Sequence, residues 1–234
     1  MIDLYALTSP NVQKIYIALE ELGLPYKEHF VDVWKGDQFA AEFMKLNPNG
    51  KIPVIVDHDG PDGTPITIFE SGAILLYLAE KTGKLLPSDK RARTEALQWL
   101  MIQLTGVGPA FGNFIHFQRF APQEQDHDYS LSRYRTEMLR ILTLIDERLS
   151  SSAYLGGADY SIVDISTWPW MRLYMATPGA GEKVPHLARW FATIEKRDAV
   201  QRALAKIGKI QSVRESAQAR DKDRLFGRGE FARA

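Results

Sequence analysis

The chain has 234 residues without a single cysteine, and its 29 basic and 29 acidic residues give a formal net charge of zero. A neutral balance argues against nucleic-acid-binding and membrane-surface proteins, which normally carry a basic excess. No apolar run reaches the roughly 20 residues that span a bilayer, and the first residues lack the basic and apolar regions of a signal peptide.

These properties predict a cytoplasmic protein that binds neither nucleic acid nor membranes. Because cysteine is absent, disulfides and Cys-type zinc sites are excluded, and any reactive thiol must be carried in by a ligand. The five histidines have no metal-ligand spacing, so we expect no metal site.

Short strand and helix patterns alternate over the first 84 residues. In chain order they predict a strand over 2–6, a helix over 12–22, a strand over 26–33, a short helix over 39–46, a hairpin around the loop 59–63, and a helix over 70–81. This βαβ-α-ββα order predicts an α/β domain over 1–84, with helices covering a mixed sheet.

Every periodic segment beyond the break at 85–88 is helical. The predicted helices cover 90–105, 129–149, 162–174, 186–196 and 199–207. They indicate a compact all-helical domain over 89–207, and Ser161 with Asp164 has the spacing of a helix capping box. The charged segment 208–234 is predicted to be a tail, partly disordered or lying on the surface or on a partner subunit.

Two features around residues 49–74 point to ligand binding. Pro53 opens an apolar run but cannot donate a ladder hydrogen bond, so it belongs at the first strand position or in a tight turn, where its peptide bond can be either trans or cis. Such a turn leaves the N–H and C=O of Ile52 free to pair with an extended peptide. The helix that begins at Glu70-Ser71 offers unpaired N–H groups that suit a carboxylate.

The runs Asn49-Gly50-Lys51-Ile52-Pro53 and Phe69-Glu70-Ser71-Gly72-Ala73-Ile74 resemble the thioredoxin-like N-terminal domain of the glutathione S-transferase family. Ser9-Pro10-Asn11 and the runs at 97–100, 106–109 and 168–170 are similar to the nu-class, Ure2-like bacterial members. The resemblance covers residues 1–205. It implies a homodimer that uses glutathione and reduces small disulfides, with weak conjugating activity.

The resemblance also implies roles for six residues in holding one glutathione. Glu70 pairs with the ammonium of the γ-glutamyl end, Ser71 takes its α-carboxylate, and the backbone of Ile52, in the turn made by Pro53, pairs with the cysteinyl unit. Lys51 and Gln38 meet the glycyl carboxylate. Without the resemblance, an ordinary helix cap with an acidic first turn is the favoured interpretation of Glu70 and Ser71.

The glutathione thiol is expected near the turn before the first helix, with Ser9 and Asn11 as its candidate donors. A thiol with a pKa of about 8.5 is only slightly ionised at neutral pH. Lowering that pKa by about two units requires roughly 2.7 kcal/mol of preferential thiolate stabilisation. Nu-class members carry Thr where this chain has Ser9, so either Thr8 or Ser9 takes this role, and a plain N-cap remains the alternative.

Arg133 is the cation that the resemblance places against a second glutathione; the alternative is a solvated helix arginine. The leading hypothesis is a glutathione-dependent disulfide-bond reductase. Conjugation of glutathione to electrophiles is the alternative reaction. A non-catalytic binding protein of the same fold is the alternative class.

Overall fold

The computed structural model describes residues 1–122, 124–212, 214 and 216–232. It divides into two compact units. The first combines residues 1–78 with the chain from 199 onward, and the second comprises residues 79–198. No helix in the described ranges is both long and apolar enough to cross a bilayer.

The first unit is built on a four-stranded sheet in the order β2-β1-β3-β4. Its strands are β1 (Ile2–Ala6), β2 (Tyr26–Phe30), β3 (Val54–Asp57) and β4 (Ile66–Phe69). The β1–β2 pair is parallel, whereas β1–β3 and β3–β4 are antiparallel. The predicted mixed sheet is thus present, with β2 ending at Phe30 rather than at residue 33.

Helices α1 (Pro10–Leu22), α2 (Ala41–Leu46) and α3 (Ser71–Thr82) follow β1, β2 and β4, respectively. A 3-10 turn, Asp37–Phe39, precedes α2. Ser9 caps α1 by accepting a hydrogen bond from the Val12 N–H, and Gly23 ends it in the left-handed conformation. Residues 14–19 of α1 are all buried, so this helix is enclosed on every side.

The second unit contains α4 (Lys90–Ile102), α5 (Gly108–Ile115), α6 (Asp128–Ser151), α7 (Ile162–Met175) and α8 (Pro185–Glu195). Helix α5 was not predicted, because its glycines and Pro109 have poor helix propensity. Packing overrides that propensity: Ala110 and Phe111 of α5 are buried, and a Cβ at Gly112 would make ordinary van der Waals contact with the Trp170 ring of α7 at 3.6 Å. Single π-helical turns, Gln103–Val107 and His116–Phe120, flank it.

The predicted capping box opens α7. The backbone N–H of Ser161 donates to Asp164 at 2.9 Å, and the Ser161 hydroxyl accepts from the Val163 N–H. The other oxygen of Asp164 accepts from the Leu155 N–H at 2.9 Å and from the Trp190 indole at 2.8 Å. Complete burial outweighs these bonds and raises the pKa of Asp164 to about 6.

The described residues beyond 198 pack within the sheet unit, which differs from the predicted boundaries 1–84, 89–207 and 208–234. Helix α9 (Asp198–Ile207) is tied to α1 by the Glu20 carboxylate, which binds Arg202 at 2.9 Å and Lys206 at 2.7 Å. Hydrophobic periodicity cannot detect these charge pairs, so it assigns α9 to the helical domain together with the helices that precede it in the sequence.

The segment predicted as a charged tail contains a further helix, α10 (Ala219–Phe226). Arg224 on α10 donates to the Trp34 carbonyl at 3.4 Å, and a Cβ at Gly36 would lie 3.0 Å from its Cδ. The described tail therefore covers the loop after β2. Residues 213, 215, 233 and 234 of the predicted tail lie outside the described residues.

Candidate functional site

Strand register brings the predicted site segments to one edge of the sheet. Tyr5, near the end of β1, pairs with Val54 at the start of β3, and Val54 pairs with Phe69 at the end of β4. Ala6 pairs with Phe30, the last residue of β2. Four chain segments therefore emerge at this edge. The segment after β1 carries Ser9 and Asn11, and the segment after β2 carries Gln38. The segment after β4 carries Glu70 and Ser71, and the segment before β3 carries Lys51, Ile52 and Pro53.

The Ile52–Pro53 peptide bond is cis, one of the two arrangements predicted for this proline. Within the described part of the chain, neither the N–H nor the C=O of Ile52 is hydrogen-bonded to another residue. Its side chain packs against the cluster of Val31, Phe43 and Val54. A packed side chain and an unpaired backbone suit an edge that binds an extended peptide.

Buried Asn47 organises the loop before Ile52. Its side-chain amide donates to the Lys51 carbonyl at 2.7 Å, and its oxygen accepts from the Asn49 N–H at 2.9 Å. Gly50 has a φ of 62°, and a Cβ there would meet the Phe39 ring at 3.1 Å. Asn47 is not among the predicted site residues, although an Asn followed by Pro and Asn-Gly is a turn signal. The loop leaves the Lys51 side chain exposed.

Glu70 adopts a φ of 71°, which is uncommon for a residue with a side chain. Its exposed carboxylate accepts a hydrogen bond from the Asn49 amide at 3.3 Å, and its carbonyl accepts from the Ile74 N–H at 2.9 Å. Strained backbone of this kind persists where the surroundings hold it, and it often occurs at ligand sites. The structure thus joins the Asn49 loop to the start of α3.

Ser71 is the first residue of α3 and is only 6% exposed. Its hydroxyl accepts a hydrogen bond at 3.3 Å from the ammonium of Lys14, which is itself 1% exposed. Burial lowers the pKa of Lys14 to about 7, although the Glu70 charge acts to raise it. Sequence reasoning missed Lys14. The available signal was its place beside Ile15-Tyr16-Ile17-Ala18-Leu19, a run too apolar for a surface helix.

Ser9 and Asn11 lie at the start of α1, both half-buried. The Ser9 hydroxyl accepts from the Val12 N–H at 3.3 Å, so the N-cap alternative is physically present. Accepting this bond leaves the hydroxyl hydrogen able to donate to a ligand, so the two roles are compatible. The Thr8 carbonyl accepts from the Gln13 side chain at 3.3 Å.

Gln38 follows β2 in the 3-10 turn and is 2% exposed. Its amide nitrogen donates to the Val33 carbonyl at 3.2 Å. Its side-chain oxygen finds no hydrogen-bond partner among the residues that the structure describes. The second hydrogen of its amide nitrogen is the one chemically suited to a ligand carboxylate.

Arg133 lies on α6 of the helical unit. Its side chain is 55% exposed and forms an ion pair with Glu137 one turn along the helix, at 3.6 Å. This is the geometry of a solvated helix arginine, and it leaves the guanidinium accessible. Within the described ranges, no group of His, Asp and Glu side chains could hold a metal ion.

A four-stranded mixed sheet with a cis-proline at its edge and helices at its strand ends, followed by a helical unit, defines a thioredoxin-like domain joined to an all-α domain. Two family profiles match the chain: "Glutathione S-transferase, N-terminal domain" over residues 8–81 and "Glutathione S-transferase, C-terminal domain" over 95–198. The disulfide-bond oxidoreductase YfcG of Escherichia coli is 45% identical over 207 residues, which cover 88% of this chain and 95% of that protein. The chain belongs to the glutathione S-transferase family.

Solved structures agree with this assignment. A glutathione transferase from Burkholderia graminis, with two glutathione molecules bound per subunit, is 44% identical and superposes with a TM-score of 0.83 over 89% of each chain. One from Pseudomonas putida, with one glutathione disulfide bound per subunit, is 42% identical with a TM-score of 0.82, over 87% of this chain and 90% of that one. The predicted fold and family resemblance are confirmed.

Proposed function

We propose that this protein is a glutathione-dependent disulfide-bond reductase acting on small disulfides, with glutathione as its co-substrate. The observation that carries the proposal is the convergence of the unpaired Ile52 backbone, Glu70-Ser71 and the Ser9 cap at one edge of the sheet. The name of the Escherichia coli relative and the glutathione disulfide in the Pseudomonas putida structure support it.

Each end of glutathione has a chemical complement at this edge. The Glu70 carboxylate suits the ligand ammonium, while the Ser71 hydroxyl and the N-terminus of α3 suit the α-carboxylate. Ile52 pairs with the cysteinyl backbone, in the turn made by Pro53. Lys51 and Gln38 are assigned to the glycyl carboxylate.

The thiolate of the bound glutathione attacks one sulfur of the substrate disulfide and forms a new S–S bond. The other substrate sulfur leaves as a thiolate and takes a proton. A second glutathione thiolate then attacks the glutathione sulfur of this mixed disulfide. It releases the remaining substrate thiol and forms glutathione disulfide. Ser9 and Asn11 donate to the first thiolate, and the N-terminus of α1 adds positive potential. Because the chain has no cysteine, every sulfur that reacts belongs to glutathione or to the substrate.

The test is turnover of hydroxyethyl disulfide with glutathione by the purified protein. Replacing Ser9 or Asn11 by Ala should lower kcat/KM about ten- to hundred-fold, since each removes a hydrogen bond to a charged group. Thr8→Val is the matched comparison, and it decides between Thr8 and Ser9 as the thiolate donor. Absence of turnover with glutathione binding intact would contradict the reductase proposal.

The same assay separates the two alternatives. Turnover of chlorodinitrobenzene faster than turnover of the disulfide would indicate a conjugating transferase. Loss of both activities, together with absence of glutathione binding in calorimetry, would indicate a non-catalytic relative of the same fold.

We assign Arg133 to a carboxylate of the second glutathione, on the family resemblance. Arg133→Ala should then raise the KM for glutathione in the disulfide assay while leaving binding of the first glutathione unchanged. Arg140→Ala is a fair comparison, because Arg140 lies two turns along the same helix and also pairs with Glu137. Equal effects of the two substitutions would leave Arg133 as an ordinary surface arginine.

We also expect a cytoplasmic homodimer, again on the family resemblance. Sedimentation velocity at micromolar concentration tests the assembly: a species of twice the chain mass is expected, and a monomer at all concentrations would refute it.

A further inference from the structure

Lys14 is an ammonium group enclosed by the sheet unit. It lies on α1 with 1% of its surface exposed, in the part of the helix where every residue from 14 to 19 is buried. Burying a charged group is expensive unless other polar groups compensate it. The partners that compensate Lys14 therefore indicate what it does.

The hydrogen bond from Lys14 to Ser71 determines which way the Ser71 hydroxyl can donate. An ammonium has donors but no acceptor, so in this 3.3 Å contact the Ser71 oxygen must accept. The hydroxyl hydrogen must then point away from Lys14. Ser71 is thereby set as a donor at the first residue of α3, where the backbone N–H groups also favour an anion.

The positive charge of Lys14 and the negative charge of Glu70 are complementary to the carboxylate and the ammonium of an α-amino acid. At the junction of β4 and α3 the ammonium donates to the Ser71 hydroxyl, and the charge of the Glu70 carboxylate acts on it. A bound α-amino acid group would bring its own ammonium to Glu70 and its own carboxylate to Ser71. The ligand ammonium would neutralise the charge of Glu70. The ligand carboxylate would then replace Glu70 as the negative charge that acts on Lys14.

We infer that Lys14 is a positioning residue that acts through Ser71 to select ligands with a free α-carboxylate beside an α-ammonium group. This inference rests on the proposed glutathione site and names the part of the ligand that the site recognises. Lys14 touches no reacting atom, because it is buried behind Ser71.

The inference has a pH signature. Lys14 supports the ligand carboxylate only while it carries its proton, and burial holds its pKa near 7. Affinity for the carboxylate is therefore high below that pH and falls as the pH rises above it. The ligand's own ammonium stays largely protonated over this range, because the adjacent carboxylate raises the pKa of an α-amino acid's amine above that of a chain terminus.

The experiment compares two probes by calorimetry: S-methylglutathione, whose sulfur cannot ionise, and the same compound lacking the α-carboxylate. For the wild type, we expect S-methylglutathione affinity to fall about five- to tenfold between pH 6 and pH 8, with no such fall for the second probe. Lys14→Met should lower S-methylglutathione affinity about ten- to hundred-fold at pH 6 and remove its pH dependence. Binding of the second probe should hardly change.

Lys14→Arg separates charge from packing, because arginine keeps its charge throughout this range. It should retain S-methylglutathione binding with a flat pH profile, and the wild-type profile with the two probes remains decisive if either variant does not fold. The inference would be overturned if Lys14→Met lost the same affinity for both probes, or if its pH profile for S-methylglutathione were the same as that of the wild type. Failure of the wild type to bind S-methylglutathione at any pH would instead refute the proposed glutathione site.

Discussion

At the scale of single residues, Asp164 illustrates how a buried carboxylate can organise its surroundings. Its two oxygens accept hydrogen bonds from the loop before α7, from the cap of α7 and from the Trp190 indole on α8. Three short stretches of chain thus depend on one side chain. The sequence predicted only the local part of this network, the capping box.

Asp164→Asn should lower the free energy of unfolding by about 2–4 kcal/mol, because the amide nitrogen would face N–H donors that now have a carboxylate acceptor. Urea unfolding at pH 7 measures the change. Asp159→Asn is the matched control, since Asp159 is exposed in the loop before the same helix. A difference between the two variants below about 0.5 kcal/mol would contradict this account.

The buried ammonium of Lys14 should make stability depend on pH. Burial lowers its pKa from 10.5 to about 7, so between these values the unfolded chain binds more protons than the folded one. The free energy of unfolding should therefore rise from pH 7 to pH 10, by an amount on the order of a few kcal/mol.

Thermal unfolding from pH 7 to pH 10 tests this dependence. Lys14→Met should abolish the rise, whereas Lys45→Met, at a mostly exposed lysine of α2, should retain it. Parallel pH profiles for the wild type and Lys14→Met would show that the ammonium is not the cause.

At the scale of elements, charge pairs join α9 to the first helix. Glu20 on α1 accepts from Arg202 and Lys206 on α9, and also from the Tyr26 hydroxyl at 2.9 Å. Burial raises the pKa of Glu20, but the hydrogen bonds from Lys206, Arg202 and Tyr26 outweigh it, so its pKa is lowered. A lowered carboxyl pKa contributes stability above the ordinary glutamate pKa, and that contribution is lost as the pH falls.

Glu20→Gln should destabilise the protein by about 1–2 kcal/mol at pH 7, and the difference from the wild type should be smaller at pH 3, because the contribution of a lowered carboxyl pKa is lost as the pH falls. Urea unfolding at the two pH values measures it. The control is Glu42→Gln, which removes an exposed pair with Lys45 and should change stability by less than about 0.5 kcal/mol. An equal loss at both pH values would point to packing instead of charge.

Helix α10 should protect the loop that follows β2. Arg224 contacts the Trp34 carbonyl and lies against Gly36, whose φ of 90° places it in the left-handed region. Ending the chain after residue 212 keeps α9 and removes α10. Amide exchange measured by mass spectrometry should then accelerate in peptides covering 33–38 and stay unchanged in those covering β1 and β3. Unchanged exchange at 33–38 would refute the contact.

At the scale of the whole molecule, the formal net charge of zero at pH 7 sets the colloidal behaviour. Molecules without net charge repel one another least, so solubility should pass through a minimum near neutral pH and rise on either side. Precipitation with polyethylene glycol across pH 5–9 measures this. A solubility that changes in one direction only over that range would contradict the expectation.

Local patterns were sufficient for most of the architecture and for several parts of the site. The strands, the turn at Pro53, the start of α3 and the Ser161–Asp164 box are each encoded within a few neighbouring residues. Helix α10 was missed because its apolar pattern is weak, although the Asp221 carboxylate accepts from the Gln218 N–H at its start and Gly227 ends it. The sequence therefore held a helix signal there that periodicity alone does not detect.

By itself the sequence determined most of the strands and helices, though not α5 or α10, together with the family and the candidate residues that lie in or beside turns, because turn chemistry and hydrophobic period are local properties. Only the tertiary structure decided that Lys14 is buried against Ser71, 57 residues away, and that Arg202 binds Glu20 across 182 residues. The physical reason is that burial and charge pairing depend on which distant segments the fold brings together. A lysine or a glutamate carries no local mark of the partner it will meet.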